Sequence, residues 1–334
     1  MPSHTQGDHE RSRPGSKQAK AQPNSQPCDL TSPFLFCLGE ILVDLMAVDG
    51  QPLCGAQTFK RFWGGAVTNV AASAALLGHT VMLAAAVGND PLGEFLRESL
   101  ARAGVHTKPM QIVQDAHTSV VLIAREASSG IKGSKVGAEF LPFHAAHRHL
   151  SLANLRASWV QQAYIVHTSA FALACEPLCS AVLWALTVAQ KAGVLTSIDA
   201  NYRRRLWQDP EKGRAVMRLA LQRVHSVKVS AEDANQFLEV SLPPEKIIAC
   251  YHDLGPQQVV FTAGAQGTWI SDGGAIMHIP AVPVHKVVHE VGAGDTFWAG
   301  FLSGLLDDLD AVDAVRRGTA LAACKLAHYG PLTE

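Results

Sequence analysis

The stretch that decides the fold is 292-GAGDTFWAGFL-302, where a turn rich in glycine leads into an apolar run without proline. This pattern predicts a tight loop that opens into a buried helix. Backbone N–H groups at a helix start lack intrahelical acceptors and carry the positive end of the helix dipole. The loop at residues 292–294 is therefore suited to hold a phosphoryl group.

Asp295 follows this loop directly, although a carboxylate there would repel a bound phosphate. Such an acid is expected if it accepts a proton from a hydroxyl that attacks phosphorus, or if it holds a metal ion. The alternative is that Asp295 caps the helix, as aspartate often does. Taken alone, residues 292–295 favour the cap, because short glycine-rich matches are weakly specific.

The composition limits the classes of function. The chain has 334 residues, 48% of them hydrophobic and 17% charged, which predicts one large domain with an appendage, or two domains. The formal net charge of −1 offers no footprint for nucleic acid or an anionic membrane, so small-molecule partners are favoured. The apolar stretch 70–88 is interrupted by polar residues and predicts a helix, a turn and a strand instead of a membrane span.

The N-terminal segment and the cysteines indicate a compartment. Residues 1–33 are polar and have no apolar core, which predicts a disordered tail and no signal peptide. The seven cysteines are odd in number and include no CxxC pair, which predicts a reduced, cytoplasmic chain. Cys175 and Cys179 lie one helical turn apart without nearby His or Cys residues, so ordinary packing is favoured over zinc binding.

Three consecutive segments predict a parallel sheet. Residues 163–168 and 194–199 have strand patterns, and the amphipathic helix 177–192 lies between them, which makes a βαβ unit. In sheets of this kind ligands bind beyond the carboxyl ends of the strands. The polar groups of residues 199–203 are therefore site candidates, with a structural turn as the alternative.

Polar residues in the N-terminal part of the chain are also candidates. Asp44 and Glu40 lie in the apolar stretch 35–45, which predicts a strand, and a buried carboxylate without a partner is costly there. Asp44 is expected to face a cleft, whereas a solvated strand end stays open for Glu40. Asn69 opens the next predicted helix and offers a donor and an acceptor to a sugar hydroxyl; its alternative role is a helix N-cap.

Two later strands run towards the same end of the predicted sheet. Residues 227–233 predict a strand that leads into an acidic helix start, where acids are usually caps. Residues 259–267 predict a strand that leads into a loop containing glycine. Gly264 and Gly267 would let an adenine nucleotide approach the backbone closely.

Taken together, these motifs resemble those of the ribokinase-like (PfkB-type) carbohydrate kinases over about residues 35–331. Residues 64–69 are similar to the N-terminal signature of that family, and residues 291–297 to its C-terminal signature. There are three further matches. The sugar-contacting aspartate matches Asp44, ahead of the N-terminal signature. Between the two signatures lie the fructokinase-like and 2-keto-3-deoxygluconate kinase-like run at 199–207 and the Thr-x-Gly-x-x-Gly nucleotide loop at 262–267. Several ordered motifs are far more specific than any one of them.

The resemblance implies a three-layer α/β/α ribokinase-like fold with a mainly parallel central sheet. The kinase domain would extend over residues 34–331, and a small β-sheet lid would take its strands from about residues 42–62 and 118–143. In this family the lid closes over the sugar and often forms the contact of a homodimer.

The resemblance also implies an ATP-dependent sugar kinase that uses Mg²⁺ and phosphorylates a primary hydroxyl. Asp295 would be the catalytic base, and the amides of Gly292, Ala293 and Gly294 would form the anion hole. The implied sugar contacts are Asp44, Gly65 and Asn69, and Arg203 would contact the acceptor or the phosphates. The implied nucleotide contacts are Thr262, Gly264 and Gly267. Asp233 would contact the metal.

The chain departs from the family pattern at two positions. His289 stands where several members have an aspartate that organises a monovalent cation, which argues against activation by K⁺. Asp233 stands where the acidic motif has a longer glutamate, so altered affinity for Mg²⁺ is expected.

The sequence favours fructose, because residues 39–44 and 199–203 look fructokinase-like; 2-keto-3-deoxygluconate and ribose stay open. A sugar- or nucleotide-binding protein without catalysis is the non-enzyme alternative, and the intact Asp295 argues against it. A hydrolase or a dinucleotide-dependent oxidoreductase is disfavoured, since neither a Gly-x-Ser-x-Gly elbow nor an early Gly-x-Gly-x-x-Gly occurs in the required place.

Overall fold

A computed structural model of the chain describes residues 32–125, 136–141 and 145–332. The tail expected over residues 1–33 lies outside this part except for its last two residues, and residues 126–135 and 142–144 of the expected lid also lie outside it. None of the helices in the described ranges is long and apolar enough to cross a membrane.

The described residues form fifteen β-strands and nine α-helices, numbered in chain order. The strands are β1 (Phe34–Leu38), β2 (Leu42–Ala47), β3 (Phe59–Gly64), β4 (Thr80–Ala84), β5 (Ala86–Gly88), β6 (Val105–His106), β7 (Gln111–Val113), β8 (Val120–Arg125), β9 (Val136–Leu141), β10 (Ile165–Ser169), β11 (Leu195–Asp199), β12 (Ser226–Ser230), β13 (Gln258–Thr262), β14 (Thr268–Ser271) and β15 (Met277–Ile279). The helices are α1 (Ala66–Leu76), α2 (Pro91–Arg102), α3 (Ala157–Gln161), α4 (Leu178–Ala192), α5 (Pro210–Leu221), α6 (Ala231–Leu238), α7 (Pro244–Asp253), α8 (Ala293–Leu306) and α9 (Ala311–Leu326).

A nine-stranded sheet forms the centre of the molecule, with the strand order β15-β14-β13-β12-β11-β10-β1-β4-β6. The seven strands from β13 to β6 in this order run parallel. The edge strands β14 and β15 are antiparallel. The mainly parallel sheet expected from the sequence is confirmed, including the unit β10-α4-β11.

Strand β1 shows how the layers pack. All five of its side chains are buried. Phe34, Phe36 and Leu38 belong to the core cluster that contains α4, α5, α6 and α7, whereas Leu35 and Cys37 belong to the cluster of α1, α2, α8 and α9. Successive residues of a strand point to opposite faces, so helices cover both faces of the sheet. The expected three-layer α/β/α fold is therefore present.

A second sheet, which we call the lid, has four strands in the order β3-β2-β8-β9. Strand β2 pairs antiparallel with β3 and parallel with β8, and β9 closes the sheet antiparallel to β8. The strand predicted over residues 35–45, with a break at Gly39, is two strands in the structure: β1 ends at Leu38 in the central sheet and β2 begins at Leu42 in the lid. The chain leaves the central sheet at Gly39, where a Cβ atom would lie 2.6 Å from Val67 Cγ2.

Helix α8, which carries the glycine-rich loop, packs closely against α9. A Cβ atom on Gly300 would lie 2.8 Å from Cα of Gly318, and one on Gly318 would lie 2.6 Å from the carbonyl oxygen of Phe297. A glycine inside a helix destabilises it by roughly 0.5–1 kcal/mol relative to alanine. The two glycines instead allow a close approach of the two backbones, and this approach fixes the position of α8 relative to α9.

Replacing Gly300 by alanine tests this close approach. Gly300→Ala is expected to lower the free energy of unfolding by about 1–3 kcal/mol, despite the better helix propensity of alanine, because the nearest atoms are backbone atoms of α9. The matched control is Gly274→Ala, whose Cβ would lie 3.7 Å from the nearest atom. The control should change the free energy by less than about 0.5 kcal/mol. Urea unfolding followed by circular dichroism measures both values, and equal effects would contradict the packing argument.

Candidate active site

The glycine-rich loop forms the start of α8. Gly292 is the N-cap residue and has a φ of 82°, in the left-handed region that favours glycine. The amide of Ala293 donates to the carbonyl oxygen of Glu290 (3.1 Å), so it is already engaged. Within the described ranges, the amides of Gly292 and Gly294 make no hydrogen bond to the protein. Two of the three amides expected for the anion hole are therefore available to a ligand.

Asp295 lies in the first turn of α8 and is half-buried. Its Oδ2 accepts a hydrogen bond from Nδ2 of Asn69 (2.8 Å). The helix-cap alternative is wrong, because Gly292 is the N-cap and no side chain caps this helix. Desolvation raises the pKa of Asp295 and the charge of Asp199 adds to this shift, while Lys228 opposes it. A carboxylate with a raised pKa is a stronger proton acceptor, as a general base requires.

Asn69 lies inside α1 and does not open it. The helix begins at Ala66, after the N-cap residue Gly65, so both the predicted helix start at Asn69 and its N-cap role are wrong. Gly65 has a φ of 103°, and a Cβ atom there would lie 2.7 Å from the carbonyl oxygen of Glu40. Only glycine fits this turn, and the turn starts α1 at Ala66. Asn69 then lies one turn into the helix, where its side chain donates to Asp295.

Asp44 and Glu40 are both buried. Asp44 projects from β2 and is 6% exposed, and burial raises its pKa to about 8, with a further contribution from the charge of Asp295. Glu40 is 1% exposed, so the solvated strand end considered from the sequence is wrong. Its carboxylate accepts from Oγ of Ser169 (2.8 Å) and from the amide of Val67 (3.3 Å), and burial raises its pKa to about 7. Glu40 thus ties the base of the lid to β10 and α1.

A small cavity lies between the lid and the start of α8. Asp44, Asn69, Gly292 and Lys325 are among the side chains and backbone groups that line it. A much larger cleft of about 1590 Å³ shares Val291 and Gly292 with this cavity and reaches the carboxyl ends of β11, β12 and β13. Predicted site residues in this cleft are Arg203, Asp233, Thr262, Gly292, Gly294 and Asp295.

Four predicted residues line neither space: Gly65, Gly264, Gly267 and Ala293. Gly264 has a φ of 55° and no atom within 4 Å of an added Cβ, so its backbone is open to a ligand. Gly267 has a different role, because a Cβ there would lie 2.4 Å from the carbonyl oxygen of Ile279. It permits the close return of β15 beside β14.

Lys228 is a site residue that sequence reasoning missed. Its ammonium donates to Oδ2 of Asp199 (2.6 Å), and both side chains are buried. A Cβ atom on Gly294 would lie 3.2 Å from its Nζ, so the cation adjoins the anion loop. Burial lowers the pKa of Lys228, but the carboxylates of Asp199, Asp233 and Asp295 together outweigh this effect and the pKa is raised. The available signal was a lysine inside the apolar strand β12.

Asp233 is engaged by two neighbours. Its Oδ2 accepts from the amide (3.0 Å) and the hydroxyl (2.6 Å) of Ser230, which makes it part of a capping box at the start of α6. Its Oδ1 accepts from Nη1 of Arg203 (2.6 Å). The described residues contain no cluster of three or more His, Cys, Asp or Glu side chains suited to a metal ion. One acceptor position remains on Oδ1, and it suits a water bound to Mg²⁺.

Several known proteins are similar to this chain in sequence or in structure. The ATP-dependent 6-phosphofructokinase of Thermoanaerobacterium thermosaccharolyticum is 29% identical over 300 residues, which cover 90% of each chain. The fructokinase of Klebsiella pneumoniae is 31% identical over 275 residues, or 81% of this chain and 84% of the relative. The crystal structure of an uncharacterized sugar kinase from Pyrococcus horikoshii in complex with ATP has a TM-score of 0.77 at 25% identity, covering 89% of this chain and 93% of that chain.

The family model described as pfkB family carbohydrate kinase matches residues 32–333, which is nearly the whole chain. The glycine-rich loop, Asp295 and the nucleotide-side strand ends all fall within this match. This chain therefore belongs to the pfkB family of carbohydrate kinases.

Proposed function

We propose that this sugar kinase transfers the γ-phosphoryl group of ATP to a primary hydroxyl of its sugar, and that the sugar is fructose. The position of Asp295 carries the proposal. Asp295 lines the large cleft, as Lys228 does, and its carboxylate accepts a hydrogen bond from Asn69, which lines the small cavity together with Asp44. A hydroxyl held on the side of the small cavity and a phosphate held in the large cleft would meet at this carboxylate.

Asp295 would take the proton from the attacking hydroxyl as the hydroxyl oxygen approaches phosphorus. The amides of Gly292 and Gly294 and the ammonium of Lys228 would stabilise the negative charge on the transferred group, since the two amides have no partner among the described residues and the ammonium lies beside Gly294. Asn69 would keep the carboxylate oriented through its 2.8 Å hydrogen bond. On the sugar side, Asp44, Asn69 and Gly65 are the proposed contacts.

The large cleft suits ATP with Mg²⁺. Thr262 lines this cleft and the backbone at Gly264 is open, so both are proposed to contact the nucleotide, with Gly267 shaping the same loop. Arg203 also lines the cleft and would approach the phosphates or the acceptor. Mg²⁺ bound to the phosphates would neutralise part of their charge, and Asp233 would contact one of its water ligands.

The small cavity supports an acceptor without a phosphate group. Among the described residues that line it, Lys325 is the one cation, and its ammonium is bonded to backbone carbonyl groups. A sugar phosphate would require cationic side chains that are free to bind it. The small cavity has a volume of about 10 Å³, which leaves room for about one hydroxyl group. A hydroxyl group of fructose therefore suits it better than the phosphate of fructose 6-phosphate would; 2-keto-3-deoxygluconate and ribose remain the alternatives.

Free thiols support the cytoplasm as the site of this reaction. The cysteines in the described ranges are all free, including the exposed Cys54 and Cys324. Free thiols persist in reducing compartments.

A panel of acceptors tests the proposed substrate. ADP release is measured with fructose, 2-keto-3-deoxygluconate, ribose and fructose 6-phosphate, each with ATP and Mg²⁺. Fructose is expected to give the highest kcat/KM. A higher value for another sugar would reassign the substrate, and no sugar-dependent ADP release would count against the kinase mechanism.

Asp295→Asn tests the proposed base. Asparagine keeps the shape but cannot accept the proton, so kcat should fall by about 10²- to 10⁴-fold. ATP binding should be unchanged or tighter, because a negative charge leaves the phosphate site. The matched control is Asp310→Asn, since Asp310 is a true N-cap and accepts from the amide of Asp313 (2.8 Å). Steady-state kinetics and thermal unfolding measure both variants; near-normal turnover in Asp295→Asn would remove this residue from the mechanism.

We further propose that two copies of the chain pair through the lid. Its edge strands β3 and β9 have no further strand partner in the described sheets, and Leu141 on β9 is 40% exposed. An exposed edge strand with an apolar side chain is suited to contact a second copy.

Light scattering tests this pairing. The wild-type protein is expected at twice the 35.7 kDa mass of one chain, and Leu141→Asp should shift it towards the monomer because a charge would be buried in the contact. Leu152→Asp is the matched control, since Leu152 is 43% exposed and lies outside the lid. A monomeric wild type, or a dimer that Leu141→Asp leaves intact, would contradict the pairing.

A further inference from the structure

Lys325 is a buried cation with no place in the mechanism described so far. It lies in the last turn of α9, and 1% of its surface is exposed. Its ammonium donates to the carbonyl oxygens of His289 (3.4 Å) and His328 (3.5 Å). The ion pairs among the described residues do not include it. A buried ammonium that is held by carbonyl groups instead of a carboxylate requires a specific explanation.

A role confined to the end of its own helix does not explain these contacts. A lysine near a helix C-terminus interacts favourably with the helix dipole, and the contact with His328 has this character. The carbonyl of His289, however, belongs to the segment that leads into the glycine-rich loop. The same segment is joined to the end of α9 by the hydrogen bond from the amide of Val288 to the carbonyl of Leu326 (2.8 Å).

The ammonium group also adjoins the reacting centre. Cε of Lys325 lies 3.7 Å from the position of a Cβ atom on Gly292, the N-cap residue of α8. Burial lowers the pKa of Lys325 to about 8, and the charge of Asp295 opposes this shift. The side chain is therefore mainly charged at neutral pH, behind the loop that would hold the transferred phosphoryl group.

We propose that Lys325 is a positioning residue whose tethered ammonium takes the place of a bound monovalent cation beneath the anion loop. By bonding to the carbonyls of His289 and His328, it holds residues 289–292 against the end of α9 and so sets the position of the Gly292 and Gly294 amides. Backbone carbonyl oxygens bind K⁺ in the same way that they accept from an ammonium group. The proposal rests on the proposed kinase function, and it means that wild-type turnover needs no added monovalent cation.

Removing the ammonium should create a cation requirement. Lys325→Met keeps much of the side-chain length without the charge, and Lys191→Met is the matched control, because Lys191 is an exposed lysine in the last turn of α4. Turnover is measured with ATP and the best sugar in choline, sodium, potassium, ammonium and methylammonium chloride at equal ionic strength. In choline chloride, kcat of Lys325→Met should fall by about 10- to 100-fold, the range for a displaced catalytic group or a lost supporting contact.

Rescue separates the proposal from a purely structural role. K⁺ or ammonium should restore kcat of Lys325→Met by about tenfold or more, since either ion can bind the freed carbonyls. Wild type and Lys191→Met should vary by less than about twofold among the salts, because screening is held constant. Unrestored turnover in Lys325→Met, or full turnover in choline chloride, would overturn the proposal.

Thermal unfolding gives a second readout that needs no activity. K⁺ or ammonium should raise the melting temperature of Lys325→Met relative to choline, as expected for an ion that binds only the folded state. The wild type should show no such difference, and activation of the wild type by K⁺ of more than about fivefold would overturn the proposal without any variant. Absence of sugar-dependent turnover in the wild type would instead count against the kinase function, while the melting temperatures would still test Lys325.

Discussion

The hydrogen bond from Asn69 to Asp295 joins two helix starts that lie 226 residues apart in sequence. Each start depends on a glycine with a positive φ, Gly65 before α1 and Gly292 before α8. These turns place a carboxamide against a carboxylate at the carboxyl edge of the sheet, where parallel α/β folds bind their ligands. The proposed base, the proposed anion loop and the proposed sugar contacts all depend on this junction.

Nearby cations offset the negative charge of the carboxylates at this junction. Burial raises the pKa of both Asp44 and Asp295; the charge of Asp295 adds to the shift of Asp44, and the charge of Asp199 adds to that of Asp295, so the site is unfavourable for these carboxylates without cations nearby. Lys228 supplies a cation on the phosphate side and Lys325 supplies another behind the loop. With these two cations, a basic carboxylate could lie beside a polyanionic ligand. The loop amides alone would not offset that much negative charge.

The sequence predicted what is encoded locally. The period of the apolar residues gave the parallel sheet, and the glycine-rich loop with its following acid gave the start of α8, because each depends on neighbours within one or two turns. Lys228 and Lys325 were missed since their importance comes from partners on other segments, Asp199 and His289. Glu40 was misjudged for the same reason: its partners lie on α1 and β10.

The central claim is that a buried carboxylate directs the phosphoryl group of ATP to a sugar hydroxyl and not to water. Its most direct test is a ³¹P NMR time course of the wild-type protein with ATP, Mg²⁺ and fructose. The account predicts one sugar phosphate ester, on a primary carbon, for each ADP formed, with no build-up of inorganic phosphate. Inorganic phosphate as the main product, or an ester on a secondary carbon, would contradict it.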